Sequence, residues 1–392
     1  MIRKITFLML AAVLLGIVAD SHAQKRDKLY SWEKRRDIKP EFTDMVLCYG
    51  GSAHRTPFRW DKERFVPMVT YTDEAGKEHW MFDSFLFLEF TLKGGADGAQ
   101  YSYGTGYYGF SAGKKQWAEL IDYWFAEGTG FDALEQAVRE ASGRMGKPKA
   151  KRKVVLTVPD PILYKVYNDT TSTTAYWGEL DGREMDFSKA EDRVAALEWY
   201  VDEVRKRYNT KRYRYIELAG FYPISEEIVT PDEGWNYDLK HSDEFISPLA
   251  EYVHKYNYCL CWIPYNRAAG YRKAKSMGFD LVYMQPNHYW DEKGDKSMER
   301  FFADIEEHDL AMEFEFEETL LTRNERSDVY RQRFYDYMEG AKKHGVYGRK
   351  QLSYYQGTNG FYELSKSSDP KDRKLYHDFC QFVINNPLRK QH

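Results

Sequence analysis

The chain has 392 residues and a net charge of −4, a length that suits one large α/β domain or two smaller domains. A surface that binds nucleic acid needs a basic excess to neutralise phosphates, so the charge argues against that partner. Aromatic residues make up 17% of the chain, with 32 Tyr and 10 Trp. Their apolar faces and polar edges suit an amphipathic partner such as a sugar, and equally the core of a large barrel.

The first 23 residues have the pattern of a signal peptide. Arg3 and Lys4 precede an apolar run at residues 5–19, and residues 21–23 (SHA) offer the small side chains that signal peptidase recognises. The run is shorter than the roughly 20 residues that a membrane-spanning helix needs. We therefore expect cleavage before Gln24, export to the periplasm or the extracellular space, and no membrane span in the mature chain. An uncleaved anchor is the alternative.

Residues 24–40 are densely charged and are predicted to lead into the fold. The turn-rich segment 73–76 lies between residues 65–71 and 78–90, a pattern that predicts a β-hairpin ahead of the second strand. Eight strands are predicted in all, at residues 45–49, 80–90, 154–158, 213–219, 258–263, 279–285, 310–316 and 351–355.

From the third strand onward, amphipathic helical stretches separate the predicted strands. Because parallel strands need crossover connections, this alternation predicts a parallel sheet. Eight such units predict a single (β/α)8 TIM-type barrel over residues 41–392, with the hairpin as an N-terminal elaboration. A doubly wound open sheet is the alternative. No glycine-rich nucleotide loop and no HExxH, DxDxDG or GxSxG motif occurs, so we expect neither a cofactor nor a metal site.

The seventh predicted strand carries the strongest functional signal. Glu313, Glu315 and Glu317 alternate with apolar residues in the run MEFEFE, so the apolar side should contact the helices and the glutamates should enter the lumen of a barrel. Burying carboxylates is costly unless they are paired or hydrogen-bonded, which favours a functional site. An antiparallel strand with one solvated face is the alternative.

The fourth strand ends in a second group of glutamates. Glu217 lies on the predicted strand and Glu226 follows it, in a loop that Pro223 stiffens. In a TIM-type barrel the site lies at the carboxyl ends of the strands, so carboxyls from strands four and seven would face each other. Glycosidases use such a pair: one carboxyl protonates the leaving oxygen and the other attacks the sugar or activates water.

Polar and aromatic side chains at other strand ends are predicted to bind hydroxyls and to stack on sugar rings. The candidates are Asp83, Tyr222, Trp262, Tyr265, Asn266, Gln285, Asn287, His288, Tyr289 and Tyr355. Asp83 lies early in the second predicted strand and is interpreted equally as a lumen carboxylate or as an edge residue. A single histidine such as His288 is often structural. The predicted partner is therefore a carbohydrate.

Four runs of residues carry a resemblance to a bacterial family. They are FDSFLFLEF (82–90), LAGFYPISEEI (218–228), IPYNRAAGYRKAKSMGFDLVYMQPNHYW (263–290) and MEFEFE (312–317). Together they resemble the family called domain of unknown function 4855, and the resemblance spans most of the mature chain. It implies a secreted protein of Bacteroidetes or related bacteria, a barrel of glycosidase type and a link to glycan degradation.

An acid/base after strand four and a nucleophile on strand seven also resemble the large clan of retaining glycosidases, an analogy at the level of the fold. The analogy assigns Glu226 as general acid/base and Glu315 as nucleophile or base, with Glu217, Glu313 and Glu317 as alternatives. We expect an exported glycoside hydrolase. The alternatives are a glycan-binding barrel of a polysaccharide-utilisation system, without turnover, and a structural role in the envelope.

Overall fold

The computed structural model describes residues 41–50, 59–93, 97–105, 109–229, 242–294 and 296–391. These residues belong to one compact unit, Pro40–His392. The predicted signal peptide and the charged lead-in lie outside the described residues. Within the described ranges, no helix has the length and apolar character needed to cross a membrane.

Eight parallel strands close into a barrel. In chain order they are β1 (Asp44–Tyr49), β2 (Ser84–Leu88), β3 (Arg152–Val158), β4 (Ile216–Pro223), β5 (Cys259–Trp262), β6 (Leu281–Met284), β7 (Ala311–Glu315) and β8 (Leu352–Tyr355). Each strand pairs with its neighbours in the chain, and β1 pairs with β8 to close the ring. The predicted TIM-type barrel is confirmed. The open sheet is wrong, because an open sheet would leave two unpaired edges.

Helices cover the outside of the barrel, and their apolar faces bury the outward side chains of the strands. They are α1 (Lys62–Val69), α2 (Lys114–Trp124), α3 (Gly130–Met145), α4 (Ala190–Lys211), α5 (Asp243–His254), α6 (Met298–His308), α7 (Ser327–Lys343), α8 (Gly360–Lys366) and α9 (Pro370–Ile384). Short 3₁₀ segments span Tyr271–Met277, Glu318–Leu320 and Pro387–Gln391. Two small sheets lie in the loops. One has three strands, Thr91–Leu92, Tyr101–Ser102 and Phe110–Ser111, and the other pairs Glu179–Leu180 with Arg183–Glu184.

The predicted hairpin is present but short. Antiparallel strands Thr70–Thr72 and Glu78–Trp80 enclose the predicted turn. Residues 65–69, predicted as strand, are instead the end of α1. The Asp61 side chain caps this helix by accepting a hydrogen bond from the Arg64 backbone N–H, and such a cap favours helix over strand at these residues.

Strand β4 contains a register shift and ends later in the sequence than predicted, and the loop that carries Glu226 begins after it. The strand was predicted at residues 213–219, but it spans Ile216–Pro223. It pairs with β3 along this length, and the register of that pairing shifts by one residue between Leu218 and Gly220. A Cβ on Gly220 would lie 2.5 Å from the backbone oxygen of Cys259 on β5. A larger residue would collide with β5 at this position. Strand β4 runs to Pro223, past its predicted end, and the loop that follows carries Glu226 to the cleft.

Candidate active site

A cleft of about 160 Å³ opens at the carboxyl ends of the strands. Seven of the eight strands, or the residues that directly follow them, contribute to its wall. The lining side chains are Leu47, Tyr49, Phe90, Tyr222, Glu226, Ile263, Gln285, Trp290, Glu313, Glu315 and Tyr355. Buried carboxyls and a set of aromatic rings therefore share one concave surface.

Strand β7 presents its glutamates to the cleft and its phenylalanines to the helices, as the alternating pattern predicts. Glu313 and Glu315 are 2% and 1% exposed. On the opposite side of the strand, the ring of Phe314 packs against Phe334 and Tyr337 of α7. Packing of the apolar side against α7 thus fixes which side of β7 enters the barrel.

Both carboxylate oxygens of Glu315 accept hydrogen bonds. The hydroxyl of Tyr337 donates to Oε2 at 2.8 Å, and Nδ2 of Asn287 donates to Oε1 at 3.3 Å. The Tyr337 hydroxyl accepts the backbone N–H of Tyr289 at 2.7 Å, which leaves its own proton for Glu315. Burial raises the pKa of Glu315 to about 8, while the bonds from Tyr337 and Asn287 act to lower it.

Asn287 is itself held in place by the loop after β5. Its backbone has a left-handed φ of +57°, which asparagine tolerates better than most residues. Its Oδ1 accepts the backbone N–H of Asn266 at 2.9 Å, and Asn266 donates in turn to the Pro286 carbonyl at 3.3 Å. Because Oδ1 is occupied, the amide of Asn287 presents its N–H to Glu315.

Glu226 faces the cleft from the loop after β4 and is only half-buried. Its Oε1 accepts a hydrogen bond of 2.8 Å from Nε2 of Gln285, which also donates to the Ile263 carbonyl at 3.3 Å. The charge of Glu226 acts to raise the pKa of Glu313 and of Glu315. The structure therefore brings the three carboxyls within electrostatic reach of each other.

A row of four aromatic rings forms one wall of the cleft. The ring of Tyr49 lies 6.0 Å from Phe90 and 5.5 Å from Tyr355, and Tyr355 lies 5.5 Å from Trp290. Trp290 is 39% exposed, so the outer end of the row is open to a ligand. Such rings suit the apolar faces of sugars.

Sequence reasoning did not select Tyr49, Phe90 or Trp290. Tyr49 is the last residue of β1, and Phe90 follows the end of β2 by two residues. The rule that selected Tyr355, an aromatic residue at the carboxyl end of a strand, finds these two residues when it is applied to every strand. Trp290 lies six residues beyond β6, so only the folded loop shows that it returns to the cleft.

Two predicted site residues lie at the opposite end of the barrel. Asp83 precedes β2, and its carboxylate accepts the backbone N–H groups of Thr43 and Asp44 at 2.9 Å. Glu217 is the second residue of β4 and binds Lys153 at 3.0 Å. The prediction that they share the cleft is wrong, because both occupy the amino-terminal ends of their strands.

Three predicted sugar-binding residues make structural contacts. Trp262 is buried and donates from Nε1 to the Ser225 carbonyl at 2.7 Å. Tyr289 is buried too, with its hydroxyl 2.9 Å from Thr319, and His288 binds Asp336 of α7 at 3.0 Å. None of the three lines the cleft, because their polar atoms bind neighbouring loops or α7, and a role in binding sugar stays a prediction for them.

The remaining predicted residues lie near the cleft without lining it. Tyr265 donates from its hydroxyl to Glu227 at 2.9 Å, and Glu317 accepts a bond of 3.3 Å from Thr319, at the start of a 3₁₀ turn. Asn266 supports the lining indirectly, as described above. Among the described residues, no group of three or more His, Cys, Asp or Glu side chains is arranged to hold a metal ion.

Residues 44–381 match the sequence family described as Domain of unknown function (DUF4855). The chain belongs to this family. The match confirms the resemblance predicted from the four sequence runs, and it spans every barrel strand of this DUF4855 protein. No curated protein is significantly similar to it in sequence.

Several solved glycosidase structures are similar to the DUF4855 chain in fold. A hyperthermophilic endocellulase from the archaeon Pyrococcus horikoshii is 11% identical with a TM-score of 0.44, and the match covers 88% of this chain and 93% of that one. The endo-1,4-β-mannanase from Rhizomucor miehei is 11% identical with a TM-score of 0.41, covering 82% and 87%. A GH113 β-1,4-mannanase is 12% identical with a TM-score of 0.38, covering 87% and 99%. At such low similarity, the chemistry has to be inferred from the cleft itself.

Proposed function

We propose that this DUF4855 protein is a glycoside hydrolase, with Glu226 as general acid/base and Glu315 as nucleophile or base. The observation that carries the proposal is the convergence of these two glutamates, from different strands, in one cleft with an aromatic wall. A pair of carboxyls on either side of a glycosidic bond is the machinery that most glycosidases use.

The surroundings of Glu315 suit the carboxylate that attacks the sugar or activates water. Donors from Tyr337 and Asn287 fix both of its oxygens, so its orientation is set before the substrate arrives. Hydrogen bonds to a carboxylate favour its charged form, which offsets part of the cost of burial. A carboxylate that acts as nucleophile carries no proton, so it needs no proton exchange with solvent at each turnover. Deep burial therefore does not impede it.

The surroundings of Glu226 suit the acid/base. It is half-buried in a loop, so it can exchange protons with water between turnovers. The charge of Glu226 acts to raise the pKa of Glu315, so the pair favours one shared negative charge over two. In the reaction, Glu226 protonates the leaving oxygen as the glycosidic C–O bond breaks, and it then accepts a proton from the incoming water when Glu315 has formed a covalent intermediate.

The aromatic row and the hydrogen-bonding groups support a carbohydrate as the substrate. Tyr49, Tyr355 and Trp290 offer flat apolar faces beside the carboxyls, and sugars present flat apolar faces bordered by hydroxyls. Export remains part of the proposal, on the signal-peptide pattern of residues 1–23.

The test replaces each glutamate with the isosteric amide. We expect Glu226→Gln and Glu315→Gln to lower kcat by about 10²–10⁴-fold and to leave oligosaccharide binding largely intact. Glu217→Gln is the matched control, because it makes the same change at the other end of the barrel, and it should keep wild-type turnover. Release of reducing ends from a panel of plant, host and microbial glycans measures turnover, and calorimetry measures binding.

Activated substrates separate the two roles. A dinitrophenyl glycoside has a leaving group that departs without protonation, so Glu226→Gln should lose much less activity on it than on the natural linkage, whereas Glu315→Gln should stay inactive. If the wild-type protein binds oligosaccharides but releases no reducing ends from any glycan in the panel, the hydrolase proposal is wrong. A glycan-binding barrel without turnover then accounts for the same cleft.

A further inference from the structure

Glu313 lines the cleft beside the proposed catalytic pair, yet the proposed reaction gives it no role. It precedes Glu315 by two residues on β7, so both side chains point to the same side of the strand. It lies closer to the amino end of β7 and therefore deeper in the barrel, where it is 2% exposed. A carboxyl at the bottom of a substrate cleft needs a physical explanation, because burying it is costly.

Glu313 receives far less support for a negative charge than Glu315 does. Among the described residues, its hydrogen-bond donor is the hydroxyl of Ser353 on β8, at the long distance of 3.5 Å from Oε1. Glu315 instead has directed donors on both oxygens. A hydroxyl can also accept a hydrogen bond, so Ser353 is compatible with a protonated Glu313.

The charges around Glu313 oppose its ionisation. The titratable groups that face it are Glu315 on the same strand, Glu226 from the loop after β4, and the hydroxyl of Tyr337 from α7. Among the described residues that line the cleft, none is basic. Burial raises the pKa of Glu313 well above its ordinary value, and the charges of Glu315 and Glu226 raise it further.

We propose that Glu313 is a neutral carboxylic acid that donates a hydrogen bond to a sugar hydroxyl at the bottom of the cleft. A protonated carboxyl has one O–H to donate and keeps an oxygen that accepts, which matches the two hydrogen-bonding capacities of a hydroxyl. Enzymes do keep a carboxylic acid neutral at pH 7 in this way by placing it in an apolar site. This inference rests on the proposed function.

A neutral Glu313 also explains how three carboxyls share one small cleft. A third negative charge beside Glu315 and Glu226 would make ionisation of Glu315 still more costly. With Glu313 protonated, the reacting pair can hold one proton and one charge, the state that hydrolysis needs, without a third charge beside it. It makes the protein selective as well, since a sugar that lacks the matching hydroxyl would leave a buried donor without a partner.

Infrared difference spectroscopy on the protein alone tests the protonation state. At pH 7, the difference between wild type and Glu313→Gln should contain the carbonyl stretch of a protonated carboxyl. The reference is the difference spectrum between wild type and Glu217→Gln. The carboxyl of Glu217 is half-exposed and bound to Lys153, so this spectrum should contain a carboxylate band. A carboxylate band for Glu313 would overturn the inference. This measurement needs no substrate, so its result is independent of whether the protein hydrolyses glycans.

Kinetics tests the role of the donor with a glycan that the wild-type protein hydrolyses. Glu313→Gln keeps a donor in place but changes its geometry, so kcat/KM should fall less far than for Glu313→Met, and both limbs of its pH profile should stay where they are. Glu313→Met removes the donor and should lower kcat/KM about 10–100-fold. One member of a set of monodeoxy substrates should be nearly insensitive to Glu313→Met, because it lacks the hydroxyl concerned.

Three kinetic results would overturn the inference. If Glu313 is ionised in the free enzyme, Glu313→Gln removes a negative charge and moves both limbs of the pH profile to lower pH. If Glu313 acts as nucleophile or acid, Glu313→Gln loses as much activity as Glu315→Gln. Equal sensitivity of every monodeoxy substrate to Glu313→Met also contradicts a bond from Glu313 to one hydroxyl.

Discussion

Tyr337 lies on α7, outside the barrel, yet its hydroxyl reaches Glu315 at 2.8 Å. This bond acts to lower the pKa of Glu315, which burial raises to about 8. We expect Tyr337→Phe to raise the pKa of Glu315 further, because the carboxylate loses a donor and stays buried. If the reaction needs ionised Glu315, the acid limb of kcat/KM moves to higher pH, and kcat/KM at pH 7 falls about tenfold or more.

Tyr335→Phe is the control for this prediction. Tyr335 lies on the same helix, and its hydroxyl donates to Asp378 at 2.6 Å, outside the barrel. Loss of the Tyr335 hydroxyl should leave the pH profile of kcat/KM unchanged. A Tyr337→Phe variant with the acid limb of the wild type would show that Glu315 is not the group that must ionise.

At the scale of elements, Gly220 on β4 lies directly against Cys259 on β5. A Cβ there would lie 2.5 Å from the Cys259 backbone oxygen, and backbone cannot move aside as a flexible side chain can. We expect Gly220→Ala to lower the free energy of unfolding by about 1–3 kcal/mol and to reduce activity, since the loop that carries Glu226 follows this strand. Urea denaturation measures the first effect.

Gly143→Ala serves as the matched control. Gly143 lies in α3 with no atom within 4 Å of the added Cβ, and alanine favours helix over glycine by about 0.5–1 kcal/mol. The control should therefore be neutral or stabilising. If both variants have the same unfolding free energy, the approach of β4 to β5 is looser than the structure shows.

Strands β7 and β4 show what could be predicted from the sequence and what could not. Periodicity of two on β7 predicts the inward glutamates because sheet geometry dictates it. The end of β4 is not predictable, since it depends on pairing with β3, whose register shifts between Leu218 and Gly220. A strand taken to end at residue 219 wrongly places Glu217 near the mouth. Trp262 was misplaced for a related reason: its neighbour Ile263 lines the cleft, and a step of one residue along a strand reverses which side of the wall a side chain occupies.

At the scale of the whole molecule, the two ends of the barrel unit meet where the ring closes. Asp44 on β1 is fully buried and accepts a hydrogen bond of 2.7 Å from the hydroxyl of Tyr354 on β8. Arg389, beyond α9, lies 3.3 Å from its other oxygen and donates to the Met81 carbonyl. The pair therefore links the first strand, the last strand and the C-terminal segment.

The charge state of Asp44 makes this closure dependent on pH. Burial raises the pKa of Asp44 to about 7, while the charge of Arg389 acts to lower it. A carboxyl with a raised folded pKa contributes stability that is fully present below its unfolded pKa, 3.8, and is lost as pH rises through the folded value. Arg389 limits that loss by compensating the buried charge.

We expect Arg389→Met to lower the free energy of unfolding by about 3 kcal/mol above pH 8, because it leaves a buried carboxylate without its cation. At pH 5 Asp44 is protonated in the folded protein, so the cost should be much smaller. Urea denaturation at pH 5, 7 and 9 measures the difference.

Two controls accompany this prediction. Adding Asp44→Asn to Arg389→Met should remove the pH dependence of the cost. Arg326→Met breaks an exposed pair with Glu292 and should change the free energy of unfolding little. An equal cost of Arg389→Met at all three pH values would mean that packing of the arginine, and not its charge, holds the closure.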